Sequence, residues 1–152
     1  MFKRRPGELR KWFLGAPKYL FQARLGFLFG KRFICIVHEG RNTGKTYLTP
    51  LEVVYRDKET GEYFVISARG ARADWYRNIQ KYPVSAVYIG SRKRGMRQRM
   101  VPVDEAVVVI KDYQRRHPKA AAALAQLIGS SVDNTDWSAA MEQLPMVAFG
   151  PR

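Results

Sequence analysis

The segment Gly40-Arg-Asn-Thr-Gly-Lys-Thr46 concentrates ligand-binding chemistry in seven residues. Arg41 and Lys45 supply cationic donors, and Asn42, Thr43 and Thr46 supply neutral ones. Gly40 and Gly44 let a ligand approach the backbone closely. Such a set suits a phosphate or a carboxylate. It is not a nucleotide P-loop, because G-x-x-x-x-G-K-[ST] requires glycine where this chain has Glu39. A P-loop also opens a helix, whereas Tyr47–Tyr55 (YLTPLEVVY) is β-branched, aromatic and interrupted by Pro50. ATP and GTP are thereby excluded. Taken alone, the same residues equally suit a solvent-exposed hairpin turn.

A second candidate lies at Ile66-Ser-Ala-Arg-Gly70, followed by Asp74-Trp-Tyr-Arg-Asn78. Small residues at a strand end allow a flat ring to lie against backbone, and a Trp-Tyr pair opening a helix can wall such a pocket or simply fill a core. Protein-borne catalysis has little to work with. The chain contains no G-x-S-x-G, no H-E-x-x-H, no G-x-G-x-x-G and no carboxylate pair at useful spacing. His38, His117 and Cys35 are too few and too scattered for a metal centre, and each histidine reads as a structural residue. Any enzyme built on this sequence draws its chemistry from a bound cofactor.

The elements that must position these groups fit one domain of 152 residues, 46 % hydrophobic and 12 % aromatic. One cysteine precludes an internal disulfide and fits a reducing, cytoplasmic setting. The net charge of +14 is unevenly placed: residues 1–32 hold nine Lys/Arg against Glu8, and residues 92–99 (RKRGMRQR) add five more. An anionic partner is expected, either an acidic ligand or the inner face of the cell membrane, touched peripherally. Nucleic acid is disfavoured, because no recognition module accompanies the basic run. Trp12–Gly30 is interrupted by Lys18, Gln22 and Arg24 and does not form a bilayer-spanning stretch.

Prolines 6 and 17 and Gly30 suggest basic amphipathic helices over 6–13 and 16–29 within a 1–32 segment. From residue 33 the period becomes that of strands, at 33–38, 47–55, 63–68, 84–89, 96–103 and 145–149. Close spacing and short turns imply antiparallel pairing. In 96–103 the alternation sends Met96 and Met100 inward and Arg97 and Arg99 outward. Helices are expected at 71–81, from Asp104 to His117, at 119–128 and at 136–143. The sum is an α+β domain over 33–152, an antiparallel barrel of about six strands.

In this order the motifs G-R-x-[ST]-G…T-P-L, S-x-x-G and W-Y-x-N-[IL], with a proline soon after, resemble the deazaflavin-dependent nitroreductase family of split β-barrel oxidoreductases. The matching residues are Gly40, Arg41, Thr43, Gly44, Thr49, Pro50, Leu51, Ser67, Gly70, Trp75, Tyr76, Asn78 and Pro83. The resemblance implies coenzyme F420, whose reduced form passes a hydride from C5 to a hydrophobic quinone, enone or nitro acceptor. It implies that Arg41, Asn42, Thr43 and Lys45 hold the phosphate, beside the Thr49-Pro50-Leu51 segment. It places Ile66, Ser67 and Ala68 against the deazaflavin ring and Trp75, Tyr76 and Asn78 around it. The coenzyme's acidic tail would account for a basic groove. Two alternatives share this barrel: an FMN-dependent oxidoreductase, and a non-catalytic lipid or fatty-acid binder. Monomer and homodimer are both compatible with the sequence.

Overall fold

Strand β1 (Phe33–Glu39) is apolar on both sides because both sides are covered: Ile34, Cys35 and Ile36 are fully buried. In this computed structural model, which describes residues 32–131 and 134–152, β1 is a central strand of the first sheet. The helices expected over 6–13 and 16–29 lie outside the described residues. β1 pairs antiparallel with β2 (Thr46–Glu52), which sets Ile36 opposite Thr49 and His38 opposite Tyr47. The turn between them contains Gly44 at φ +70°, a left-handed conformation that glycine adopts without steric cost.

The single strand expected over 47–55 is two strands. At the break, Val53 donates its N–H to the Arg32 carbonyl while Val54 donates to that of Phe64. Neighbouring N–H groups thus point to different sheets, and the chain turns a barrel corner there. It continues as β3 (Tyr55–Asp57) and β4 (Glu62–Ile66), joined by a turn in which Asp57 Oδ1 accepts from the Glu59 and Thr60 amides. A 3-10 turn at Gly70–Arg72 leads to α1 (Asp74–Lys81), then to β5 (Ala86–Ile89), β6 (Arg92–Arg94) and β7 (Met96–Met100). Helices α2 (Val103–Arg116), α3 (Pro118–Leu127) and α4 (Trp137–Gln143) precede β8 (Met146–Pro151).

Two four-stranded antiparallel sheets result, ordered β2-β1-β5-β6 and β3-β4-β8-β7. They approach one another where β2 meets β4 and where β5 meets β7. One core lies between the sheets, around Ile34, Ile36, Val65, Val87, Val147 and Phe149, and is closed by Tyr76 and Ile79 of α1. The other lies under α2, α3 and α4, around Phe64, Val109, Ile110, Tyr113 and Trp137. No described helix is long and apolar enough to cross a membrane.

The α+β split barrel expected from the sequence is the observed fold, with eight described strands in place of about six. β3 is revealed only by the corner at Val53–Val54. β6 is Arg-Lys-Arg, all exposed, and has no apolar alternation to betray it; only its backbone pairs with β5. Basic side chains on such an edge discourage pairing with another chain. The Val-rich start of α2 has strand propensity, yet Ala106, Val109, Ile110 and Tyr113 fall on one helical face and pack inward while Val108 stays exposed.

The expected inward methionines are half right. Met96 is buried, but Met100 is 42 % exposed at the end of edge strand β7. Gln98 fills the inner face instead, accepting from the Val84 amide and donating to the Ile79 carbonyl. Arg97 is exposed as expected, whereas Arg99 is drawn onto two carboxylates. Its Nε and Nη2 donate to Glu62 of β4 at 2.7 and 3.0 Å, and its Nη1 and Nη2 donate to Glu105 of α2 at 3.0 and 2.7 Å. The guanidinium also lies 5.6 Å from the Phe64 ring centre. This fork ties β7, β4 and α2 together.

Arg99 hydrogen bonding holds the Glu62 carboxyl below its ordinary pKa, so this stabilisation exists above the unfolded carboxylate pKa and is lost as pH falls through the folded one. Arg99→Gln should lower unfolding free energy at neutral pH by about 1 kcal/mol, the scale left to a partly exposed ion pair after solvent screening. Urea titrations should show the difference from wild type shrinking in acid; a difference independent of pH would contradict the pairing.

Candidate functional site

The hairpin at 40–46, strand β2, the end of β4, the start of α1 and one face of α3 enclose a cleft of about 1040 Å³. The volume reaches the upper range of small-molecule sites, roughly 300–1,000 Å³. Its two ends differ in chemistry. At one, Arg41, Asn42 and Thr43 present polar groups. At the other, Ala120, Ala123, Leu124 and Leu127 line the wall at i, i+3, i+4 and i+7, a single apolar face of α3. Leu48, Thr49, Pro50, Leu51 and Glu52 of β2 run between them.

The hairpin is held by its own geometry and by α1. Gly40 exchanges backbone bonds with its loop, its N–H donating to Lys45 O and its carbonyl accepting from Gly44 N, both at 2.8 Å. Arg41 then anchors the loop to the helix. Its backbone N–H and its Nη1 both donate to Asn78 Oδ1, at 3.1 and 2.8 Å, and its Nη2 meets Asp74 Oδ1 at 3.2 Å. Lys81 Nζ donates to the Arg41 carbonyl at 3.0 Å. Behind this, the Asn78 amide nitrogen lies 3.2 Å from His38 Nδ1, and His38 Nε2 lies 2.7 Å from Thr49 Oγ1. Four elements therefore share one polar chain.

His38 is 3 % exposed, and burial lowers its pKa to about 4 against the opposing pull of Asp74, so the imidazole is neutral at pH 7. Tyr47 stacks on it, ring centres 5.7 Å apart. Deeper in the cleft the Tyr113 hydroxyl donates to Glu52 Oε1 at 3.2 Å. Burial, reinforced by the Glu52 charge and that bond, pushes its pKa up to about 12, which keeps the phenol protonated.

Ten residues singled out in the sequence line the cleft: Arg41, Asn42, Thr43, Thr49, Pro50, Leu51, Ile66, Ala68, Trp75 and Asn78. Lys45, Ser67 and Tyr76 do not. Lys45 is exposed on the hairpin beside its lining residues. Ser67, expected against the ring, is fully buried, and its hydroxyl donates to the Gly70 carbonyl at 2.6 Å to shape the turn after β4. Tyr76 turns away from the cleft into the core between the sheets. Among the described residues, the charged ones that line the cleft are Arg41 and Arg69 against Glu52 and Asp74, and none of residues 92–99 reaches it. The sequence reading missed His38, Tyr47, Glu52, Tyr113 and the α3 face. For α3 a signal existed, in the small and apolar residues at helical spacing within 119–128.

An unfolded imidazole takes up a proton near pH 6.5, whereas folded His38 resists until about pH 4. The unfolded state therefore binds more protons in that window, and this contribution to stability is lost as pH falls from 6.5 toward 4. Urea unfolding of wild type and His38→Gln should show wild type losing stability faster across that window. Parallel curves would contradict a neutral, buried His38.

A model of the F420H(2)-dependent quinone reductase family matches residues 21–125, well over half of the chain. Among solved structures, the chain is similar to one described as an F420-H2 dependent reductase, FDR-A, at 18 % identity and a TM-score of 0.55, covering 79 % of this chain and 95 % of that one. Another, described as a domain-swapped dimer, matches at 18 % identity and a TM-score of 0.55, covering 79 % and 81 %. At these identities the two structures speak for the split-barrel fold alone. A search of the curated proteins gave no match. With the family match spanning the hairpin, β2, α1 and most of α3, the chain belongs to the F420H2-dependent quinone reductase family and is an oxidoreductase whose coenzyme is F420.

Proposed function

We propose that this protein reduces a hydrophobic acceptor, a quinone in the first instance and an enone or nitro compound by the same chemistry, in the cleft between the 40–46 hairpin and α3. The observation that carries this reading is the division of one cleft into a polar end and an apolar end, joined by β2. A coenzyme with an anionic phosphate and a flat ring fits that division. Asn42 offers a polar side chain at the hairpin, Thr43 keeps its hydroxyl proton while its oxygen accepts from the Lys45 N–H, Arg41 lies beside them, and Lys45 stands on the same turn. Small Ala68, with Ile66, leaves room for a ring at the end of β4, and Trp75 borders it.

When bound, reduced F420 supplies a hydride. What the chain supplies is placement and a dry environment. Asn78 holds the hairpin to α1, so the phosphate site and the ring site keep a fixed separation. The α3 face covers the acceptor with alanines that permit close approach and leucines that exclude water. Among the described residues the lining charges balance, which leaves the acidic tail of the coenzyme to the mouth of the cleft, where Arg69 is exposed. The nine basic residues among 1–32 fit peripheral contact with an anionic membrane, a source of apolar quinones.

Purified full-length protein mixed with reduced F420 and the soluble quinone menadione should oxidise the coenzyme. Absence of both binding and oxidation would overturn the proposal. Arg41→Ala should weaken F420 binding about tenfold or more, the scale of a charge-assisted hydrogen bond together with its loop anchor, while the protein stays folded. Unchanged affinity would remove Arg41 from the site. Deleting residues 1–15 should reduce co-sedimentation with phosphatidylglycerol vesicles; equal sedimentation would make that charge merely solvated.

A further inference from the structure

We infer that the buried chain Arg41–Asn78–His38–Thr49 fixes the direction of its own hydrogen bonds and makes Thr49 a dedicated donor to an oxygen of the bound ligand. The inference rests on the cleft being the F420 and acceptor site. The direction follows from the two ends of Asn78. Both groups that meet Oδ1, the Arg41 backbone N–H and the Arg41 guanidinium, can only donate. That terminal atom is therefore the oxygen, and the amide NH2 faces His38 Nδ1. An NH2 group can only donate to it, so Nδ1 presents its lone pair. A neutral imidazole then carries its proton on Nε2, 2.7 Å from Thr49 Oγ1.

Thr49 is left as the acceptor in that contact. A hydroxyl has one proton and two lone pairs, and the proton cannot point back at Nε2–H. Among the described residues, His38 is the one hydrogen-bond partner of this hydroxyl. Thr49 lines the cleft beside Leu48 and Pro50, half-buried between the polar and apolar ends. Its free proton is thus available to a lone-pair oxygen there, a phosphate or ring carbonyl oxygen of the coenzyme or a carbonyl oxygen of the quinone. A site polarised in this way favours ligands that present an acceptor at that point, because a hydroxyl that loses its water to a bound ligand and gains no acceptor is left unpaired at a cost. His38 acts as a positioning residue, and it needs no change of protonation to do so.

Two measurements test this. Long-range nitrogen–proton NMR correlations of the free protein at pH 7 should show His38 protonated at Nε2; a proton on Nδ1 would overturn the inference without any ligand present. Fluorescence titration with F420 and menadione kinetics should then compare Thr49→Val with Thr49→Ser. The valine variant should lose about threefold to tenfold, the range for one neutral hydrogen bond, and serine should restore most of it. A loss in F420 affinity puts the acceptor oxygen on the coenzyme, and a loss confined to the menadione KM puts it on the quinone. Wild-type binding left unchanged by Thr49→Val in both readouts would overturn the inference alone. Wild type that binds no F420 would overturn the cofactor site, and this inference with it.

Discussion

The carboxamide of Asn78 is the contact on which the site depends. It is 4 % exposed and carries bonds in both directions, accepting from the hairpin through Arg41 and donating to β1 through His38. Leaving any of these groups unpaired inside the protein would cost on the order of 1–3 kcal/mol. That cost makes the arrangement cooperative. The hairpin cannot leave α1, and α1 cannot shift along the sheet, without breaking one of these bonds. The same carboxamide also sets the polarity of the chain that ends at Thr49. Structural anchoring and chemical direction come from one side chain.

Around this contact the barrel does two further jobs. The corner at Val53–Val54 brings β2 beside β4, so the hairpin and the Ile66–Ala68 segment border one space although about twenty residues of chain separate them. The helices after β7 then return across that space. Arg99 holds the start of α2 to β4 through Glu105 and Glu62, and Arg116 near the end of α2 donates to the Val54 carbonyl at 2.6 Å. Pinned at both ends, α2 presents Tyr113 to the cleft and hands the chain to α3, whose apolar face completes the wall. The remote ion pairs thereby reach the site through the placement of a helix.

Much of this was legible in the sequence, for physical reasons that can be named. The turn from apolar periodicity 3.6 to 2, the short connections and the failure of Gly40–Thr46 as a P-loop together required an antiparallel barrel with a ligand-suited hairpin. Most of the residues that line the candidate cleft could be picked out as small, polar or aromatic residues in the hairpin, at strand ends and at the start of a helix. What was hidden depended on three-dimensional partners. Ser67 is a residue of the right type, but it is fully buried and its hydroxyl is taken up by the Gly70 carbonyl. Tyr76 and Trp75 are adjacent, but helical geometry sends one into the core and the other to the cleft. His38 looked like a lone structural histidine, and its role emerges only once β1, β2 and α1 are packed together. The charge pattern says least about the cleft, because net charge does not specify which cations reach a cavity; among the described residues Arg41 and Arg69 do.

F420 is expected to bind in the cleft between the hairpin and α3. A crystal structure of the protein soaked or co-crystallised with F420 tests it most directly. The coenzyme's phosphate should lie at the 40–46 hairpin and its ring beside Ala68, with an oxygen within hydrogen-bonding distance of Thr49 Oγ1 or a vacancy there for the quinone. Coenzyme found elsewhere, above all along the basic edge of β6, would contradict it.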